Sequence, residues 1–140
     1  MRSGITVIEI IMVIAILAIV ASTSVPILSN FILRNNLTNV SNQIIGSIRK
    51  AQDYAMNGRD GAVWGVCQSG NSIRLFSGSC ASPSYFEDYT ISSSIIVSGL
   101  SETTFSPLRG EPSSALSVTI TTGIGSSSVI MNIAGGMDIN

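Results

Sequence analysis

The sequence predicts an α+β fold: a long, kinked N-terminal α-helix, first transmembrane and then amphipathic, packed against a small antiparallel β-sheet head. Three observations carry this expectation. From Ile5 the chain runs into apolar residues as far as Ala21, with one carboxylate, Glu9, inside the stretch. Apolar residues then recur at three- and four-residue steps as far as Ala55, the spacing of one helix face. After Gly58 the period falls to two, the period of a half-buried strand.

The first element is expected to be membrane-spanning. Ile5 to Val25 reaches the length needed to cross ~30 Å of hydrocarbon as a helix, and Arg2 is its only positive flank on the N-terminal side. That bias places the short leader on the cytoplasmic side and the bulk of the chain outside. A carboxylate at mid-bilayer costs roughly 2.5–3.5 kcal/mol, so Glu9 implies more than anchoring. Pro26 removes one helical N–H and crowds the carbonyl one turn back, which predicts a kink there.

Beyond Pro26, Leu33, Leu37, Val40, Ile44, Ile45, Ile48, Ala51 and Ala55 form an apolar stripe, with Arg34, Asn39, Asn42, Arg49 and Asp53 largely between them. Gly58 supplies the left-handed conformation that closes the helix. Ala62–Cys67 and Ser72–Phe76 flank the turn Gln68-Ser69-Gly70-Asn71, which predicts a β-hairpin. Further strand-like runs follow at Tyr89–Ile91, Ser94–Val97, Thr103–Phe105, Leu116–Thr121 and Val129–Ile133. The sheet they build is expected to cover the apolar stripe of the helix. The organisation is therefore a leader at 1–4, a membrane half at 5–25, an amphipathic half at 26–58 and a β-rich head at 59–140.

Composition narrows the function. Of the 140 residues, 45% are hydrophobic and 11% charged, but the apolar excess is concentrated near the N-terminus and the remainder is rich in Ser, Thr, Gly and Asn. From Asn35 onward the acids Asp53, Asp60, Glu87, Asp88, Glu102, Glu111 and Asp138 outnumber the bases Arg49, Lys50, Arg59, Arg74 and Arg109. That balance argues against nucleic acid as a partner. The chain has no His, and no grouping of Ser, Asp and Lys suggests catalysis, so neither an enzyme nor a metal or other cofactor is expected. Cys67 and Cys80 lack the further ligands of a zinc site, and a disulfide in an oxidising compartment is preferred to two free thiols. Closing that loop of about a dozen residues is worth ~3 kcal/mol on the chain-entropy account. Trp64, beside Val63 and Val66, is expected in the core, although with Tyr85, Phe86 and Tyr89 it also offers a candidate contact surface.

Arg2, Gly4 and Glu9, the apolar run and Pro26 together resemble the N-terminus of the type IV pilin superfamily, which includes pilus subunits and the pseudopilins of type II secretion. A cleaved secretory signal ending near Ile19-Val20-Ala21 is the competing reading, and Glu9 inside the apolar core argues against it. The resemblance implies a type IV pilin-like fold and cleavage between Gly4 and Ile5 by a prepilin peptidase that also N-methylates Ile5. It further implies that Glu9 pairs with the Ile5 amine of a neighbouring subunit during assembly. Phe105-Ser106-Pro107-Leu108-Arg109-Gly110, the strand Leu116–Thr121, and Val129–Ile133 before Gly135-Gly136 resemble the C-terminal pattern of the GspH/FimT group.

The function so implied is that of a structural subunit of a helical filament, specifically a minor pilin or pseudopilin of a type IV pilus or type II secretion system. A major pilin is the alternative, followed by a DNA-binding or adhesive minor pilin. Implied partners are other pilin or pseudopilin subunits, the prepilin peptidase, an inner-membrane assembly platform and, before assembly, membrane lipid. The implied location is the inner (cytoplasmic) membrane, single-pass with a periplasmic or extracellular head, and afterwards the filament.

Overall fold

The computed structural model describes residues 6–140, and within its long helix the side chains of residues 23–27 lie outside the described set. Helix α1 spans Val7–Met56 and a single 3-10 turn covers Arg59–Gly61. Eight strands follow: β1 (Trp64–Ser69), β2 (Ser72–Ser77), β3 (Tyr85–Thr90), β4 (Ile96–Ser98), β5 (Thr103–Phe105), β6 (Leu116–Thr122), β7 (Gly125–Met131) and β8 (Met137–Ile139). They form two four-stranded antiparallel sheets, ordered β3-β2-β1-β5 and β4-β6-β7-β8. The α+β class therefore stands, with two sheets where one was expected. The chain divides into two compact units between Ile32 and Leu33, so the second unit contains the later half of α1 as well as all eight strands.

In the second unit the sequence periods translate directly into packing. Ile44, Ile48, Ala51 and Ala55, spaced by four, three and four residues, are fully buried, and Ile45 is nearly so. They join one apolar cluster with Trp64, Val66, Ile73, Leu75 and Phe105 from the first sheet and its neighbours, and Val97, Leu116, Val118, Ile120, Val129 and Met131 from the second. Strand β6 alternates without exception, with Leu116, Val118, Ile120 and Thr122 inward and Ser117, Thr119 and Thr121 outward. A helix serving both sheets explains why its apolar stripe is broad.

The end of α1 is capped by two separate segments. Gly58 adopts φ 60° and its N–H donates to the Ala55 carbonyl at 3.1 Å. The same carbonyl accepts the Leu108 N–H at 2.9 Å, and the Gln52 amide donates to the Gly110 carbonyl at 3.0 Å. The Phe105–Gly110 segment thus docks on the helix terminus, giving the last-turn Ala55 carbonyl a second donor and accepting one hydrogen bond from the Gln52 side chain. Leu108 is itself left-handed, at φ 67°. At Gly65 an added Cβ would lie 2.6 Å from the Thr103 carbonyl oxygen and 2.7 Å from the Phe76 ring, so β1 needs glycine for close packing.

The membrane-spanning half of the expected fold is corrected. Among the described residues no helix is long and apolar enough to cross a membrane. The uninterrupted apolar run, Ile10 to Ala21, lies between Glu9 and the polar Ser22, and at ~1.5 Å per residue it covers roughly 18 Å of a ~30 Å hydrocarbon layer. The single-pass inner-membrane location, which depended on that span, is corrected with it. Pro26 falls within α1, and the kink expected from its ring lies outside the described side chains.

Candidate functional site

From Val7 to Val20 the helix of the first unit is apolar on every face apart from Glu9. Val7, Ile8, Ile10, Ile11, Met12, Val13, Ile14, Ile16, Leu17, Ile19 and Val20 are all at least half exposed. Glu9, in the first turn, is also exposed, and it lines a shallow concavity with Ile10, Val13 and Ile14. Apolar area left in water is disfavoured by roughly 25 cal/mol per Å², so this surface favours burial against other apolar groups. Gly4 and Ile5, the residues assigned to leader cleavage and N-methylation, lie outside the described residues. The partner expected for Glu9, the Ile5 amine of a neighbouring subunit, falls on the same undescribed residue.

In the second unit the structure places Cys67 and Cys80 in a disulfide, with Cα atoms 6.3 Å apart. Cys67 is buried on β1, and Cys80 lies in the segment joining β2 to β3, where its N–H donates to a Glu102 carboxylate oxygen at 3.0 Å. The bridge and this hydrogen bond fix a connection that has no strand partners of its own. Trp64, expected in the core, is fully buried, whereas Tyr85 and Phe86 are exposed.

Two charged clusters on β3 were not anticipated. Glu87 accepts hydrogen bonds from Lys50 of α1 at 2.5 Å, from the Tyr85 hydroxyl at 2.7 Å and from the Tyr89 hydroxyl at 2.8 Å. The Lys50 ammonium, followed by the Tyr85 hydroxyl, holds the Glu87 carboxyl down at about 2 against an ordinary 4.5. The same contact with Glu87 raises Lys50 above its ordinary value. One register step away, Arg74 of β2 faces Asp88 and grips it with two hydrogen bonds of 2.7 Å, which lowers the Asp88 carboxyl. The only sequence clue to either was the Tyr85-Phe86-Glu87-Asp88-Tyr89 run. Cross-strand pairing and the helix face that meets β3 decide these partners, and neither follows from local pattern.

Around the 3-10 turn, Arg59 lies against three rings: its guanidinium carbon is 4.2 Å from the Tyr54 ring centroid, 5.3 Å from Trp64 and 5.6 Å from Tyr85. Trp64 meets Tyr54 edge-on at 4.8 Å and Tyr85 at 5.7 Å. Among the described residues no group of His, Cys, Asp and Glu side chains is arranged to hold a metal ion.

Compared with protein-family models, with characterised proteins and with solved structures, the chain finds no match in any of the three. The assignment to the type IV pilin superfamily is corrected on these findings, and with it the filament function, prepilin processing and secretion role that it implied. The resemblance rested on Arg2, Gly4, Glu9 and Pro26 around an apolar run that does not amount to a described membrane span. The likeness of the second half to the GspH/FimT pattern has a local physical account as well. Phe105–Gly110 docks on the end of α1, and the later segments are the antiparallel pair β6 and β7.

Proposed function

We propose that this chain is a non-catalytic assembly protein that associates with copies of itself through the apolar helix of its first unit. The observation that carries this reading is the all-round exposure of apolar side chains from Val7 to Val20. A one-sided stripe would suit a single groove, but a helix apolar on every face suits burial among several helices. The same stretch on other copies supplies such surface, and it carries no charge besides Glu9 to oppose close approach.

A photo-crosslinking residue at Leu17 of the full chain tests the reading. The expected product joins residue 17 to the 7–20 stretch of a second copy, identified by mass spectrometry of the linked peptides. Crosslinks confined to the same chain at micromolar concentration would count against self-association.

A further inference from the structure

The three rings around Arg59 are each held by contacts that do not involve its guanidinium. Tyr54 packs against the core from α1. Trp64 is fully buried on β1, and its indole N–H donates to the Arg59 backbone carbonyl at 3.0 Å, a bond independent of the arginine side chain. Tyr85 is oriented by its 2.7 Å hydrogen bond to Glu87. The rings therefore form a preorganised aromatic enclosure for a cation, with the Glu87 carboxylate anchoring one wall.

Its present occupant is weakly held by charge. The Arg59 side chain is 41% exposed, and its ion-pair partner, the adjacent Asp60, is 3.6 Å away and 68% exposed. Arg59 sits on an exposed turn, flanked by Gly58 and Asp60 with left-handed φ of 60° and 57° and followed by Gly61 at 59°. The Arg59 carbonyl accepts the Ala62 N–H at 3.3 Å and the Trp64 indole N–H at 3.0 Å, so the backbone is held while the side chain is free to change rotamer.

We propose that Tyr54, Trp64 and Tyr85 form a binding site for a cationic group of a partner, a guanidinium or an alkylammonium, and that Arg59 is an intramolecular occupant which the partner's cation replaces. The site lies wholly in the second unit and does not depend on association through the apolar helix.

Trp64 is the only tryptophan in the chain, so its fluorescence reports this site alone. The full-length Arg59→Ala variant is titrated with tetramethylammonium chloride, and separately with N-acetylarginine amide, against sodium chloride at matched ionic strength. Wild-type protein is run in parallel. The expected result is a saturable change in Arg59→Ala with at least one cation, at a midpoint about tenfold or more below that of wild type, because the internal competitor is gone. Adding Tyr85→Ala to that variant is expected to abolish the response. Arg59→Gln, which keeps a polar side chain on the turn, serves where Arg59→Ala does not fold. Three results would overturn the proposal: no saturable response to either cation in a folded Arg59 variant, a wild-type response as strong as the variant's, or a response that survives Tyr85→Ala. Failure of both Arg59 variants to fold would make Arg59 a structural plug and would overturn it equally.

Discussion

Glu87 gathers one ammonium and two phenol hydroxyls, and that convergence links α1 to the edge strand β3. Its carboxyl sits near 2 in the folded chain, against 4.5 ordinarily, so the unfolded chain binds the proton more readily. Stability from this group is therefore fully present above about pH 4.5 and is lost as pH falls toward 2. Lys50 is shifted upward, so its share is present below its ordinary 10.5 and is lost as pH rises beyond that. Urea midpoints measured at pH 6 and pH 3 are expected to fall less in Glu87→Gln than in wild type; an equal fall would place the acid sensitivity elsewhere. Ser47 shows the opposite situation. Its hydroxyl is buried on α1 and is without a hydrogen-bond partner among the described residues. Ser47→Ala removes an unsatisfied polar group and adds helix propensity, and it is expected to stabilise the fold by about 1 kcal/mol in chemical denaturation. A destabilised variant would mean that the hydroxyl is satisfied in solution.

Among the elements, α1, the first hairpin, β5 and β6 were legible because period and punctuation agreed: four-three-four spacing on the helix, Gly58 at its end, and Gly70-Asn71 between β1 and β2. Strand β3 was only partly legible. Its run Tyr85–Thr90 is mixed aromatic and acidic with no buried residue, as suits an edge strand whose partners come from β2 and α1. Strand β8 was missed because Met137–Ile139 takes its meaning from pairing with β7. The division into two sheets was not legible either, since strand order is a long-range property. The connection from β2 to β3 depends on its bridge. Cys67→Ser with Cys80→Ser is expected to cost about 3 kcal/mol in denaturant unfolding, from loop-closure entropy and the loss of the fixed position of Cys80. A change of only a few tenths would mean that the loop keeps its place without the crosslink. On β1, Gly65→Ala drives a methyl against the Thr103 carbonyl and the Phe76 ring, and a drop in thermal midpoint of several degrees is expected.

At the scale of the whole molecule, the two compact units have opposite surface chemistry. The second gathers most of its apolar residues into one core shared by helix and sheets, leaving single exceptions such as Ile96, Leu108 and Ile133 exposed, whereas the described part of the first leaves a continuous run of apolar residues in contact with solvent. Composition made that asymmetry visible in the sequence, but the expectation of a membrane span counted residues beyond the polar Ser22-Thr23-Ser24 and across Glu9. The uninterrupted apolar length is what decides the matter, and it is short. Self-association is the consequence that the exposed helix carries most directly. Sedimentation velocity on the full chain at micromolar concentration, beside a Leu17→Asp variant, tests it. The account predicts oligomers for wild type and a shift to monomer in the variant, with the second unit's circular dichroism unchanged; a monomeric wild type, or an oligomer indifferent to a charge at position 17, would contradict it.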